Sequence, residues 1–191
     1  METKSISFKI YMDKGQELDP EVWFRVFNTW IPQPDDDILV DVADYSHVKN
    51  GPVTILVGHK ANYALDNTDG RFGFQYTRKR DLQGSFADDL ESTIREGLKA
   101  AARLDTDPAL DGGVHFTGER TQVVLNDRLN TPNTDDTEEN IKADIDAFLS
   151  RLYAGGSAKT QRNQDARQRF TLDIEAEGTF SPSQLLENID S

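Results

Sequence analysis

Residues 6–12, ISFKIYM, alternate: Ile6, Phe8, Ile10 and Met12 share one side, and Ser7, Lys9 and Tyr11 share the other. A period of two predicts a strand with one buried face. The next run, LDPEVWFRVFNTWIPQP, changes period. Val22, Trp23, Val26, Phe27 and Trp30 fall on one helical stripe. Asp19 is a capping residue, Pro20 suits the first helical position, and Glu21 suits the positive end of the helix dipole. Pro32 and Pro34 should stop the helix. The aromatic stripe reads as core rather than as a ligand box.

Residues 37–79 read as three consecutive strands. Ile38, Val40 and Val42 share a face, as do Val53, Ile55 and Val57, with Phe72, Phe74 and Tyr76 as a third apolar edge. DNTDG has hairpin-loop chemistry, and short loops make antiparallel neighbours. In GSFADDLESTIREGLKAAARLD, Ser85 and Asp88 resemble a capping box. Phe86, Leu90, Ile94, Leu98, Ala101 and Leu104 follow at helical spacing, and Gly97 weakens the helix unless it admits a close neighbour. VHFTGERTQVVLN predicts a hairpin turning near Gly118 and Glu119. A third helix carries Ile141, Ile145, Phe148, Leu149 and Leu152 on one stripe. AGGSAKTQRNQDARQ reads as a polar connector, and RFTLDIEA as a last strand.

Strands that alternate bury one face, and amphipathic helices can cover it. The predicted fold is α+β: a two-layer single domain over residues 1–176, with one mostly antiparallel sheet of about seven strands and three helices on one face. Residues 177–191 form a C-terminal tail, a short helical turn or a frayed end.

The balance of 21 basic and 34 acidic residues gives a net charge of −13. That surface repels phosphate backbones and anionic lipid, so neither a nucleic acid nor a membrane is expected as partner. The chain has no cysteine, which removes disulfides, thiolate metal sites and cysteine nucleophiles. It also has no apolar run of membrane-spanning length, and the cytosol is the expected compartment. Hydrophobic residues make up 36%, a low share that goes with an acidic, well-solvated surface.

Candidate chemistry is sparse. If VTILVGHKANYALD is one strand, His59 leaves its apolar run on the covered side, in line with Tyr63. A tight turn at Asn50-Gly51 sets Val42 opposite His59 and makes Asp44 and His59 diagonal neighbours, within side-chain reach. A wide loop instead sets Val42 opposite Val53 and separates them. In the tight register Asp44, His59 and Tyr63 are candidates for general acid–base work; otherwise His59 is a structural histidine. A second candidate is the polar group Asn126, Asp127, Arg128 and Asn130 at a helix entrance, either a ligand site or turn chemistry. Metal motifs fail: Asp105, Asp107 and Asp111 lack the remaining ligands of a calcium loop, and three scattered histidines give no zinc spacing. No phosphate loop, dinucleotide fingerprint or nucleophile elbow is present, so no cofactor and no metal are expected.

The runs LVDVADYSHVKNGPVTILVGHKANYALD, RFGFQYTRKR and LNDRLNTPNT resemble those of an uncharacterised bacterial protein family of about this length. The resemblance spans most of residues 5–176. It implies a bacterial origin and brings no activity, cofactor or catalytic residue. The leading expectation is a non-catalytic module that binds a ligand or a protein, self-associating through an apolar patch on the second sheet face near Tyr11, Leu39, Leu56 and, if a bulge reverses its parity, Tyr63. The alternative is a small-metabolite enzyme using an Asp44–His59 pair.

Overall fold

The computed structural model describes residues 2–13, 19–33, 37–110 and 113–191. Pro34 and Asp111 therefore lie outside the described residues. Eight strands form one antiparallel sheet: β1 (Ile6–Met12), β2 (Leu39–Asp44), β3 (Pro52–Gly58), β4 (Ala61–Asp66), β5 (Gly73–Arg78), β6 (Phe116–Leu125), β7 (Ala158–Arg162) and β8 (Phe170–Ala176). Their spatial order is β2-β3-β4-β5-β1-β6-β8-β7. Among the described residues four α-helices accompany the sheet: α1 (Pro20–Trp30), α2 (Phe86–Asp105), α3 (Asp135–Leu152) and α4 (Pro182–Asp190).

The helix starts follow local chemistry. Asp19 accepts a hydrogen bond from the Glu21 N–H and Pro20 opens α1. Ser85 and Asp88 form a reciprocal capping box on α2, and Ser181 and Gln184 form another on α4. Thr134 caps α3, whose first turn holds Asp135, Asp136 and Glu138.

One apolar row runs across the sheet: Val42, Leu56, Tyr63, Tyr76, Phe8, Val123 and Leu172 stand side by side. All seven are buried, in one cluster that also takes in the inner faces of the helices. Trp30 of α1 meets Tyr63 edge-to-face at 5.9 Å. Gly97 of α2 lies so close to the sheet that a Cβ there would stand 2.7 Å from Phe8 and 3.2 Å from Tyr76. Its cost in helix propensity is thus offset by close packing. The helices cover this face, and among the described residues no element covers the other.

Four expectations are corrected. VTILVGHKANYALD is a hairpin, not one strand: Val57 pairs with Asn62 and Leu56 with Tyr63, turning at residues 58–61. The Asp37 carboxylate fixes that turn, accepting from the N–H groups of Lys60 and Ala61 at 2.8 and 3.0 Å. VHFTGERTQVVLN is not a hairpin but supplies the ten-residue β6. Its pairing with β1 jumps from Ile10↔Thr121 to Met12↔Phe116, so the Gly118–Glu119 signal marks an irregularity rather than a turn. The supposed connector contains β7, an edge strand whose polar KTQ lacks an apolar alternation. The tail forms α4, nine residues long, with Leu185 and Ile189 in the core.

The self-association patch is also corrected. Leu39, Leu56 and Tyr63 lie in the helix-covered core: β3 turns Leu56 inward rather than Ile55 and Val57, Tyr63 pairs with Leu56 across the missed hairpin, and an irregularity between Leu39 and Asp41 turns Leu39 to the same side as Val42. The same irregularity leaves Ile38 and Val40 exposed while Leu39 and Val42 are buried.

Candidate functional site

The uncovered face carries polar side chains in register: Gln75, Lys9, Gln122, Asp173 and Gln161 stand side by side on β5, β1, β6, β8 and β7. One step along, Arg120, Glu175 and Lys159 form a second row. Above these strands lies an open groove of about 1260 Å³. Its walls come from two departures from regular pairing. Thr117 and Glu119 belong to the irregular stretch of β6, and Gly70, Arg71 and Phe72 to the β4–β5 loop.

At its edge is a buried ion pair. Lys9 is 1% exposed despite lying on the uncovered face. Its side chain passes over β5 at Gly73, where a Cβ would stand 2.9 Å from Lys9 Cε. Its Nζ then donates to Asp66 Oδ2 and to the Arg71 carbonyl, each at 2.6 Å. Asp66 also accepts from the backbone N–H and the hydroxyl of Thr68. Burial pulls the Lys9 pKa below its usual value, and the Asp66 carboxylate opposes that shift.

Tyr11 links this pair to the groove. Its ring has Lys9 Nζ 5.0 Å and the Arg71 guanidinium 4.8 Å from its centroid. Asp173 Oδ1 accepts from Gln122 Nε2 at 2.8 Å, Arg71 Nη1 at 3.3 Å and the Tyr11 hydroxyl at 3.4 Å. Burial raises the Tyr11 pKa, so the phenol stays a neutral donor. Asp173 Oδ2 takes no hydrogen bond among the described residues. Across the groove Arg120 pairs with Glu175 at 3.3 Å. The site therefore presents donors and acceptors on a pre-ordered floor, and Lys9 itself is locked beneath it.

The residues singled out in the sequence lie elsewhere. Asp44 pairs with Thr54, and Leu39 with Gly58, a register between the two considered. His59 sits in the β3–β4 turn, exposed, with Nε2 3.1 Å from Arg80 Nη1. Five strand positions, roughly 16 Å, separate Asp44 from His59. Asp44 instead accepts from the Ser46 N–H, and its bonds with Ser46 hold its carboxyl below the usual range. Tyr63 is in the core between Trp30 and Tyr76. The structure thus brings none of these three together.

Asn126, Asp127, Arg128 and Asn130 lie at the opposite end of β1 and β6 from the groove. Asp127 closes the turn, accepting from Asn130 N and Nδ2 and from Lys4 N. Burial works against its charged form, but these bonds win and keep its pKa low. Asn126 donates to Ser7 Oγ, while Arg128 and Asn130 are exposed. Among the described residues no cluster of three acidic or histidine side chains could hold a metal, and no helix is long and apolar enough to cross a membrane.

Sequence reasoning missed Lys9, Asp66, Arg71, Gln122 and Asp173. A signal existed: Lys9 and Asp173 sit on the polar side of central strands, where a charge facing a sheet interior needs a partner. Comparison of the chain with protein-family models, with curated proteins and with solved structures gives no match.

Proposed function

We propose that the protein is a non-catalytic binding module whose ligand lies in the groove on the uncovered sheet face. The observation that carries this reading is the polar floor. Lys9, Asp66, Tyr11, Arg71 and Asp173 hold one another in fixed geometry beneath a groove of about 1260 Å³. Pre-ordered polar groups in a concavity are what small-molecule recognition requires. The test is thermal-shift screening of a small-metabolite library against the native chain and Gln161→Trp, which places an indole in the groove. Ligands that stabilise the native chain should lose their effect in the variant. Equal stabilisation of both would contradict the reading.

A second reading, self-association, is supported by β2. This terminal strand follows Ile38, 72% exposed, and contains Val40, 61% exposed. The net charge of −13 opposes pairing of two copies, so association should grow with salt. Sedimentation showing a monomer at every concentration and ionic strength would contradict it. A cytosolic setting belongs to the same proposal and fits a chain without cysteine.

A further inference from the structure

We infer that the groove takes a neutral polyhydroxylated ligand, a segment of an oligosaccharide. The inference rests on the reading of the groove as the ligand site. Two of the three lining cations are already paired, while Lys159, Asp13 and Glu119 have no ion-pair partner among the described residues. Arg71 is 3.3 Å from Asp173, Arg120 is 3.3 Å from Glu175, and beneath them Lys9 is 2.6 Å from Asp66. Among the described residues the ionised side chains lining the groove are three cations (Arg71, Arg120, Lys159) and four anions (Asp13, Glu119, Asp173, Glu175), so they sum to 3 − 4 = −1. Among the described residues an anionic ligand would meet one unpaired cation, Lys159, against the unpaired carboxylates of Asp13 and Glu119, and a polycation would compete with Arg71 and Arg120 for theirs.

A neutral ligand with hydroxyl groups meets neither obstacle. Each hydroxyl both donates and accepts. Asp173 Oδ2 offers an acceptor with no bond of its own among the described residues. Gln161, Lys159 and Arg120 offer donors along the same floor. Phe72 lies 38% exposed in the wall. Its ring is an apolar surface with a negative face, suited to the C–H side of a sugar ring. The trough is larger than the roughly 300–1,000 Å³ of a compact drug-sized site, which favours several linked rings over a single one.

The experiment is a ¹H–¹⁵N correlation titration of the full chain with neutral hexasaccharides (maltohexaose, cellohexaose, chitohexaose), an anionic one (hexagalacturonate) and inorganic phosphate. A neutral hexasaccharide should shift the amides of residues 70–72, 119–121 and 159–161, in a saturable manner. Gln161→Ala and Phe72→Ala, both at exposed positions, should each weaken binding by about tenfold while keeping the native spectrum elsewhere. Saturable binding of hexagalacturonate or phosphate in the groove, with the neutral probes silent, would overturn the neutral class and leave the binding-module reading standing. Silence from every probe would overturn the saccharide class as well; the Gln161→Trp screen then decides the fate of the module reading. Shifts that map outside the groove would overturn both.

Discussion

Replacing Asp66 by alanine removes the carboxylate that lies 2.6 Å from the Lys9 ammonium, where the two side chains are 3% and 2% exposed. The partner left at hydrogen-bond distance is the Arg71 carbonyl. A buried charge stripped of its counterion costs about 3–5 kcal/mol. The lost bonds from Thr68 add about 1 kcal/mol. Against a typical stability of about 5–15 kcal/mol, the single variant should be severely weakened. Lys9→Met combined with Asp66→Leu removes both charges, so neither is left buried alone. It should recover most of the loss, since an apolar pair of similar volume is often as stable as a buried ion pair. The assay is urea unfolding of the native chain, Asp66→Ala, and the cycle of Lys9→Met, Asp66→Leu and their double variant, followed by far-UV circular dichroism. A coupling energy above about 2 kcal/mol in this cycle is expected. A cost below about 1 kcal/mol for Asp66→Ala, or strictly additive single effects, would show that Lys9 is hydrated and the floor of the groove is not pre-ordered.

Gly97→Ala should gain about 1 kcal/mol in helix propensity and lose more by forcing a Cβ to 2.7 Å from Phe8, so its melting temperature falls. Leu185→Ala should cost about 2–5 kcal/mol, because this side chain of α4 is fully buried; a cost near zero in urea unfolding would detach α4 from the core. Burial raises the pKa values of Tyr11 and Tyr153 above the ordinary 10.0. The folded form therefore keeps protons that the unfolded chain loses above about pH 10. The resulting stabilisation is complete below that pH and declines above it. Any fall in denaturant midpoint from pH 9 to 11.5 should be smaller in Tyr11→Phe with Tyr153→Phe than in the native chain.

The helices were the most legible part of the chain, because capping residues and a 3.6-residue stripe coincide in each of α1, α2 and α3. α4 carried the same signature in Ser181, Pro182 and Gln184, but only nine residues of stripe supported it. Strands were harder where the alternation continued through a turn. From Val53 to Leu65 the polar and apolar positions keep step well enough to hide the hairpin, and groups outside this run, the Asp37 carboxylate among them, fix where it bends. At Gly118 a glycine that looked like a turn makes room for Leu185 and Phe180 instead. The groove was illegible for a related reason. Lys9 and Asp66 are 57 positions apart and meet across an intervening strand, so no local spacing announces them.

The central claim is that helices cover one face of the sheet and leave the other, with its groove, open. The native chain has no cysteine, so single cysteines can report on each face separately. Thr171 and Leu172 are adjacent in β8 and face opposite ways, as do Gln75 and Tyr76 in β5. Thr171→Cys and Gln75→Cys should react with a maleimide in the folded protein, whereas Leu172→Cys and Tyr76→Cys should react only on unfolding. Equal protection within each neighbouring pair would mean that both faces are covered, and the proposed ligand site would have no place to be.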